Sequence, residues 1–304
     1  MYPDPSIFAN VATVVLYHEP MAKHTTWRIG GPADILAIPE NVSQIEELLR
    51  LAVSHQIPYF VLGRGSNLLV RDGGIRGLVI KLSESFSGYA IDGNEMTVKS
   101  GRTIVSTAHV AMKNGLSGLE FATGIPGTVG GAVVMNAGAH GSEMKDVLKW
   151  VQVLTPGGEV KPHSVGELDF HYRSSALRDS GDVVLSATFA LAPGNVEEML
   201  AKVKRWSMHR QATQPLSFPS CGSVFRNPAG DYAARLIEAA GLKGKRIGDA
   251  MISDLHANFI VNLGHASAEE VMALMDYAKQ QVLQQFGIEL MPEVRLVGED
   301  EARG

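Results

Sequence analysis

Apolar positions recur every three or four residues in several stretches of the chain, and each such stretch predicts a helix. In "NVSQIEELLRLAVSHQIPYFVLG", Ile45, Leu48, Leu49 and Ala52 fall on one face. Ser43 and Glu46 have the spacing of a capping box, and Pro58 ends the helix before a buried strand, "YFVLG". "TIVSTAHVAMKNG" (103–115) predicts a helix closed by Gly115 as a left-handed cap. "APGNVEEMLAKVKRWSMHRQ" turns helical after a linker, and "GDYAARLIEAAG" (230–241) is a shorter helix followed by Gly241. The longest pattern runs over 267–286, with Val271, Leu274, Met275, Ala278 and Val282 at core spacing. Ser267 and Glu270 suit a capping box at its start, and Gly287 suits its stop.

Between the helices lie strand patterns. "GLVIKL" (77–82) and "DVVLSATFAL" (182–191) each predict one strand, and "NEMTVKSG" (94–101) opens a β-rich region. "WVQVLTPGGEV" (150–160) predicts two strands around a Pro-Gly-Gly turn. "HANFIVNLG" predicts a strand, and "IELMPEVRLVG" a strand pair or a bent strand. No repeat stands out. The pattern is that of an α+β protein in more than one domain, and 304 residues suffice for two or three.

Composition narrows the class. A formal net charge of −5 with no basic block argues against general nucleic-acid binding, which needs a concentrated positive footprint. The N-terminus, "MYPDPSIFANVATVVLYHEP", lacks a basic region before an apolar run and does not read as a signal peptide. No apolar run of about 18 residues predicts a membrane span. A single cysteine cannot form an internal disulfide, and a cytoplasmic protein is expected. No His, Cys, Asp or Glu spacing suggests a metal site.

Glycine is plentiful, at 32 residues, and two glycine-rich loops carry most of the chemical signal. "VLGRGSNLLV" (61–70) follows a strand, and "ATGIPGTVGGAVVMNAGAHG" (122–141) is the second. Such loops let several peptide N–H groups point inward, as in phosphate-binding nests, and Ser66, Asn67 and Thr128 could add donors. The same composition also suits plain turns. Gly63-x-Gly65-x-x-Leu68 lacks the third glycine of the dinucleotide fingerprint, and no phosphate-loop motif occurs. "PSCGSVFRNP" (219–228) holds two candidates for chemistry, the thiol of Cys221 and the hydroxyl of Ser223. Taken alone, Ser223 reads as a turn serine, Arg173 as a surface arginine and Glu293 as a solvated carboxylate at a strand edge.

"HTTWRIGGPAD", "LGRGSNLLV", "GIPGTVGGAVVMNAGAHG", "YRSSAL", "CGSVFRNP", "HANFIVN" and "PEVRLVG" occur in that order between about residue 20 and about residue 298. Together they resemble the UDP-N-acetylenolpyruvoylglucosamine reductase (MurB) family of peptidoglycan synthesis, and its shorter, type II branch in particular. The resemblance implies a two-subdomain FAD-binding fold of the vanillyl-alcohol oxidase class followed by an α+β domain for a UDP-sugar. The expected divisions are 1–20 (N-terminal extension), 21–83 and 84–195 (FAD subdomains) and 196–304 (substrate domain). FAD would be held noncovalently by Gly63, Arg64, Gly65, Ser66 and Asn67 in the first loop. In the second it would meet Gly124, Ile125, Pro126, Gly127, Thr128, Gly130, Gly131, Ala132, Asn136 and Gly138. His24 is expected to be structural rather than a flavinylation site.

The reaction implied has two halves. NADPH reduces FAD, and the reduced flavin then gives a hydride from N5 to C3 of UDP-N-acetylglucosamine enolpyruvate. A proton at C2 completes UDP-N-acetylmuramate. Ser223 matches the family's proton donor, Arg173 the arginine that meets the carboxylate, and Glu293 the third catalytic member. Glu293 helps if it is protonated or orients a donor. Gln214, Arg226 and Asn227 are candidate substrate contacts, and His256 is structural by default. The reaction needs a proton rather than a covalent adduct, so Ser223 is preferred to Cys221, which is expected to pack beside the loop. An oxidase of the same fold would share the glycine loops without needing "CGSVFRNP" and "PEVRLVG" together. A binding protein that lost the chemistry would not need all three catalytic positions. A monomer is expected.

Overall fold

The computed structural model describes residues 5–301, so residues 1–4 of the expected N-terminal extension lie outside the described residues. The chain divides into two compact units. One holds the described residues up to Tyr17 with Ile35–Arg64 and Gly77–Met208, and the other holds His18–Asp34, Gly65–Arg76 and the described residues from His209 onward.

The first unit has two hydrophobic cores. Around the first lie Phe8, Ile35, Leu48, Leu78 and Ile80, joined from beyond residue 84 by Phe86, Leu154, Val183 and Leu185. Helix α1 (Val42–Ser54) turns Ile45, Leu48, Leu49 and Ala52 into this core, as their spacing predicts. Its start differs from expectation. The cap is Asn41, not Ser43: Asn41 lies in extended backbone and its side chain accepts from Gln44 N–H at 3.0 Å. Gln44 accepts in return from Glu40 N–H at 2.7 Å, so Ser43 is already inside the helix. The strand Tyr59–Leu62 runs parallel to Leu78–Lys81 in a four-stranded sheet.

The second core lies against a five-stranded antiparallel sheet ordered Val160–Ser164, Leu148–Leu154, Val183–Ala190, Glu95–Lys99, Tyr89–Asp92. The pair around Pro-Gly-Gly is there, closed by Gly158 N–H donating to Thr155 at 2.9 Å. Helix α2 (Ile104–Lys113) buries Ile104, Ala108 and Ala111 in this core, with Gly115 left-handed beyond its end. The second glycine loop is not all loop. A short helix, α3 (Val129–Val134), lies within it, capped by Thr128, whose hydroxyl accepts from Gly131 N–H at 3.3 Å. Helix α4 spans Val196–Thr213.

The second unit has one core. Helix α5 (Ala233–Ala239) supplies Leu236 and Ile237. Helix α6 (Ala268–Phe286) supplies Val271, Leu274, Met275, Ala278 and Val282, the larger of which each contribute about 1.5–3 kcal/mol relative to exposure. Ser267 and Glu270 form the expected capping box, and Gly287 closes the helix in the left-handed conformation. This helix packs on a sheet of Arg246–Ile247, Ala250–Ile252 and Ile260–Asn262. "HANFIVNLG" therefore contributes only its Ile260–Asn262 part as strand. Trp27, Ile29 and Leu69 enter the same core from early in the chain. The C-terminal segment is bent: Pro292 bridges to Phe225, while Arg295–Val297 pairs in parallel with Leu68–Val70. Among the described residues no helix is long and apolar enough to cross a membrane, and no cluster of His, Cys, Asp and Glu is placed to hold a metal ion.

Candidate active site

In the first unit, Gly63 follows the strand Tyr59–Leu62 and stands against Thr128. A Cβ at position 63 would overlap the Thr128 hydroxyl oxygen, so only glycine lets the two glycine loops meet here. Thr128 is buried and bridges to Thr103. Around it, Ile104 N–H donates to Gly127 at 3.0 Å, Val129 N–H to Arg102 at 2.8 Å and Gly130 N–H to Ser100 at 2.9 Å. These bonds fix the loop and leave the peptide N–H groups of Gly127 and Thr128 without an acceptor among the described residues. The buried hydroxyl of Ser100, beside Gly130, also has no hydrogen-bond partner there. Gly124, Ile125, Pro126 and Gly127 lead into this turn, Ala132 is buried in α3, and Gly138 abuts Glu143.

Asn136, expected at the cofactor, is wholly buried and its amide is committed to protein groups. Its Nδ2 donates to Glu143 Oε2 at 2.9 Å and to the His171 carbonyl at 3.1 Å, while its Oδ1 accepts from Lys145 N–H at 3.1 Å. No donor of this side chain is left for a ligand. His171 and Ser174 exchange backbone hydrogen bonds of 3.0 and 3.2 Å and so close the turn that carries Arg173. Arg173 has a left-handed backbone (φ 58°) and lies over the Tyr172 ring, 5.1 Å from its centroid. The Asn136 side chain therefore anchors the turn that carries Arg173.

In the second unit, Gly65 has φ 63°, and the N–H groups of Gly65, Ser66 and Asn67 find no acceptor among the described residues. Consecutive inward N–H groups of this kind suit an anionic oxygen. Arg64, just before them, is exposed. The Asn67 amide donates to the Glu293 carbonyl at 3.2 Å, and Arg295 N–H donates to the Asn67 carbonyl at 3.0 Å. The loop and the Glu293 segment are thus tied directly.

The same segment meets Ser223. Glu293 N–H donates to the Val224 carbonyl at 2.8 Å and Pro292 bridges to Phe225, so the Glu293 segment lies beside the residues that follow Ser223. Gly222 turns the chain at φ 81° just before Ser223. Cys221 is 5% exposed, and burial first, then the nearby Glu293 carboxylate, push its thiol well above the usual range. A neutral, buried thiol is a poor nucleophile, which favours the serine. Arg226 donates its N–H to Met291 at 2.9 Å, and its Nε is buried without a partner among the described residues. Asn227 spends its Oδ1 on Ala233 N–H at 3.1 Å, capping α5, and keeps its NH2 for another acceptor. Gln214 accepts from Arg210 Nε at 2.8 Å. Burial holds His256 below the usual imidazole range, and its Nδ1 accepts from Asn258 N–H at 3.3 Å.

Asn258 lies in "HANFIVN" but was not singled out there. It is 3% exposed and grips the residues after Ser223 at three points. Its Oδ1 accepts from Phe225 N–H at 2.9 Å, its Nδ2 donates to the Phe225 carbonyl at 2.8 Å, and its own carbonyl accepts from Val224 N–H at 2.9 Å. Asn262 holds the other end of the segment, donating its N–H to Pro219 at 3.0 Å.

Residues 33–162 match the FAD binding domain family, and residues 214–297 match the C-terminal domain of UDP-N-acetylenolpyruvoylglucosamine reductase. The FAD match covers the Gly63 and Thr128 contacts, and the glycine cradle with its unengaged N–H groups fits the diphosphate of such a cofactor. The UDP-N-acetylenolpyruvoylglucosamine reductase of Anoxybacillus flavithermus is 47% identical over 291 residues, spanning 95% of this chain and 96% of that one. That of Alkaliphilus oremlandii is 45% identical over 287 residues, 94% of each chain. The crystal structure of the enzyme of that name from Thermus caldophilus superposes with a TM-score of 0.80 at 38% identity, covering 93% of this chain and 98% of that one. Likeness of this extent, running through both glycine loops and the Ser223 and Glu293 segments alike, makes the chain a member of the UDP-N-acetylenolpyruvoylglucosamine reductase family, an FAD-binding oxidoreductase.

Proposed function

We propose that this chain reduces UDP-N-acetylglucosamine enolpyruvate to UDP-N-acetylmuramate at the expense of NADPH, in the cytoplasm, as a step of peptidoglycan precursor synthesis. The observation that carries the reading is the pairing of the Ser223 and Glu293 segments through the Val224 carbonyl. FAD, held noncovalently, supplies the two-electron exchange when bound; in the unit that carries the FAD-binding match, the N–H groups of Gly127 and Thr128 are donors suited to it.

The remaining work falls to side chains of this protein. As charge develops at C2 of the enol ether and spreads into its carboxylate, the guanidinium of Arg173 meets the carboxylate with its planar fork. Ser223 gives its hydroxyl proton to C2. A serine hydroxyl is a weak acid, so this works only when the accepting carbon is more basic and the hydroxyl is held within about 3 Å of it. Glu293 either stabilises the developing charge as a neutral acid or orients the serine hydroxyl. Arg226 and the free NH2 of Asn227 are donors suited to the diphosphate or the sugar, and Gln214 is assigned to the same ligand.

The test is an anaerobic two-step reaction. The yellow protein is reduced with NADPH, freed of nucleotide and mixed with the enolpyruvyl sugar while flavin absorbance is followed. Prompt reoxidation with formation of UDP-N-acetylmuramate is expected. In the Ser223→Ala enzyme, reduction by NADPH stays normal and reoxidation slows by about 10²–10⁴-fold. Reduction without reoxidation in the unaltered protein would overturn the substrate assignment.

A further inference from the structure

Ser223 sits on a segment, Pro219–Phe225, that a serine's chemistry requires to be rigid. The segment is anchored at its start by Asn262 and, through Ser220, by the Thr26 hydroxyl, which donates to the Ser220 carbonyl at 2.8 Å. Its middle is a left-handed glycine, Gly222, with no heavy atom within 4 Å of where a Cβ would stand. No side chain covers the Cβ side of that turn, and the bonds that hold the backbone next to Ser223 lie beyond it, at Val224 and Phe225.

Those two residues are held between two partners. On one side, Val224 O receives Glu293 N–H at 2.8 Å and Val294 N–H at 3.4 Å. On the other, the Asn258 amide pairs with both the N–H and the carbonyl of Phe225, while the Asn258 carbonyl takes Val224 N–H. Phe225 is buried, so water cannot replace these bonds. An amide presents a donor and an acceptor side by side at every pH, as a peptide strand does. We propose that Asn258 is a positioning residue for proton delivery: its carboxamide fixes the backbone of Val224 and Phe225 so that Ser223 and Glu293 keep one mutual geometry. This rests on the assignment of Ser223 as proton donor.

The Asn258→Asp substitution keeps size and the acceptor but sets a carboxylate oxygen against the Phe225 carbonyl. Protonation restores a donor there, and burial favours that neutral form. The holoenzyme is examined by rapid mixing, with NADPH reduction and substrate reoxidation measured separately. At pH 8 we expect reduction within about twofold of the unaltered enzyme and reoxidation slower by about 10–10²-fold, the scale of an ångström's misplacement. The solvent deuterium isotope effect on reoxidation should grow, and reoxidation should recover as pH falls to 6. In a Ser223→Ala background the same substitution should add no further loss to reoxidation, because there is no hydroxyl left to aim. Hydrogen exchange at the Val224–Phe225 amides, read without turnover, should quicken.

Unchanged reoxidation at pH 8 overturns the proposal, as does equal loss of both half-reactions together with FAD. An additive loss in the Ser223→Ala background also overturns it. If Asn258→Asp does not fold, Asn258→Ser takes the same comparison, and failure of both to fold marks the amide as purely structural. An unaltered enzyme that the substrate does not reoxidise refutes the functional reading instead, before any variant is compared.

Discussion

The thiol of Cys221 is held protonated by its burial and, second, by the carboxylate of Glu293 close by. A group whose folded pKa is raised stabilises the fold fully below its unfolded pKa, about 8.5 for a thiol, and loses that contribution as pH rises above it. Unfolding midpoints of the unaltered protein should therefore fall more steeply between pH 8.5 and 10 than those of Cys221→Ala, by up to about 1.4 kcal/mol per pH unit. Cys221→Ala should also keep most of the activity. Identical pH slopes for the two proteins, or an inactive variant that still folds and binds FAD, would contradict this account.

Gly63→Ala forces a Cβ into the Thr128 hydroxyl, which is itself engaged in capping α3. Overpacking of this kind costs about 1–3 kcal/mol, and here it falls on the glycine loops proposed to hold FAD. The variant should purify with a lowered flavin-to-protein ratio. Adding Thr128→Ala should recover part of the fold's stability, a non-additivity expected only of residues in contact. Full flavin retention in the single variant would show that the loops have room to separate.

Asn136→Gly removes the amide without straining a backbone already at φ 42°. With its hydrogen bond to His171 gone, the Arg173 turn loosens. Flavin content should stay normal while kcat/KM for the enolpyruvyl substrate falls about tenfold, or about 1.4 kcal/mol of transition-state stabilisation. Loss of flavin with kcat/KM per bound flavin unchanged would return Asn136 to the cofactor.

Glu120 is 4% exposed. Burial pushes its carboxyl up, but the Ser117 hydroxyl at 2.6 Å, its own backbone N–H and the Gly118 N–H at 2.8 Å outweigh that and hold it below the usual range. A depressed carboxylate stabilises above its unfolded pKa, and the contribution is lost as pH falls through the folded one. Glu120→Gln should cost about 1.5–3 kcal/mol at pH 7, the worth of hydrogen bonds to a charged group. The gap should narrow in urea titrations below about pH 4. A gap that is the same at pH 7 and pH 3 would mean the charge is irrelevant.

What could be read from the chain alone follows the range of each interaction. The capping box at Ser267 and Glu270 and the stop at Gly287 are settled within a few residues, and both were legible. The start of α1 was not, because Asn41-x-x-Gln44 and Ser43-x-x-Glu46 both satisfy the spacing and only the backbone at Asn41 decides. Asn258 meets Phe225 across 33 residues, and no local pattern announces that meeting. Asn136 was expected at the cofactor from the resemblance of its loop, and its side chain turns out to be spent within the protein. Its partner, the His171 carbonyl, is 35 residues away and carries no side-chain signature. The motifs single out Arg173, Ser223 and Glu293 as candidates, but the amides that hold their backbones belong to tertiary structure.

Trp27 has one further consequence, in the order of events during synthesis. Its indole N–H donates to the Ile260 carbonyl at 2.9 Å, and its own carbonyl receives the amide of Asn262. At about 5–20 residues per second, a ribosome needs roughly 10–50 s to make the 233 residues that separate Trp27 from Ile260. For that interval the indole N–H lacks its native acceptor, and most of the core that buries the ring is not yet made. The nascent chain must carry that polar edge solvated or shielded by a chaperone, and a protein truncated before residue 260 would never give it its native acceptor.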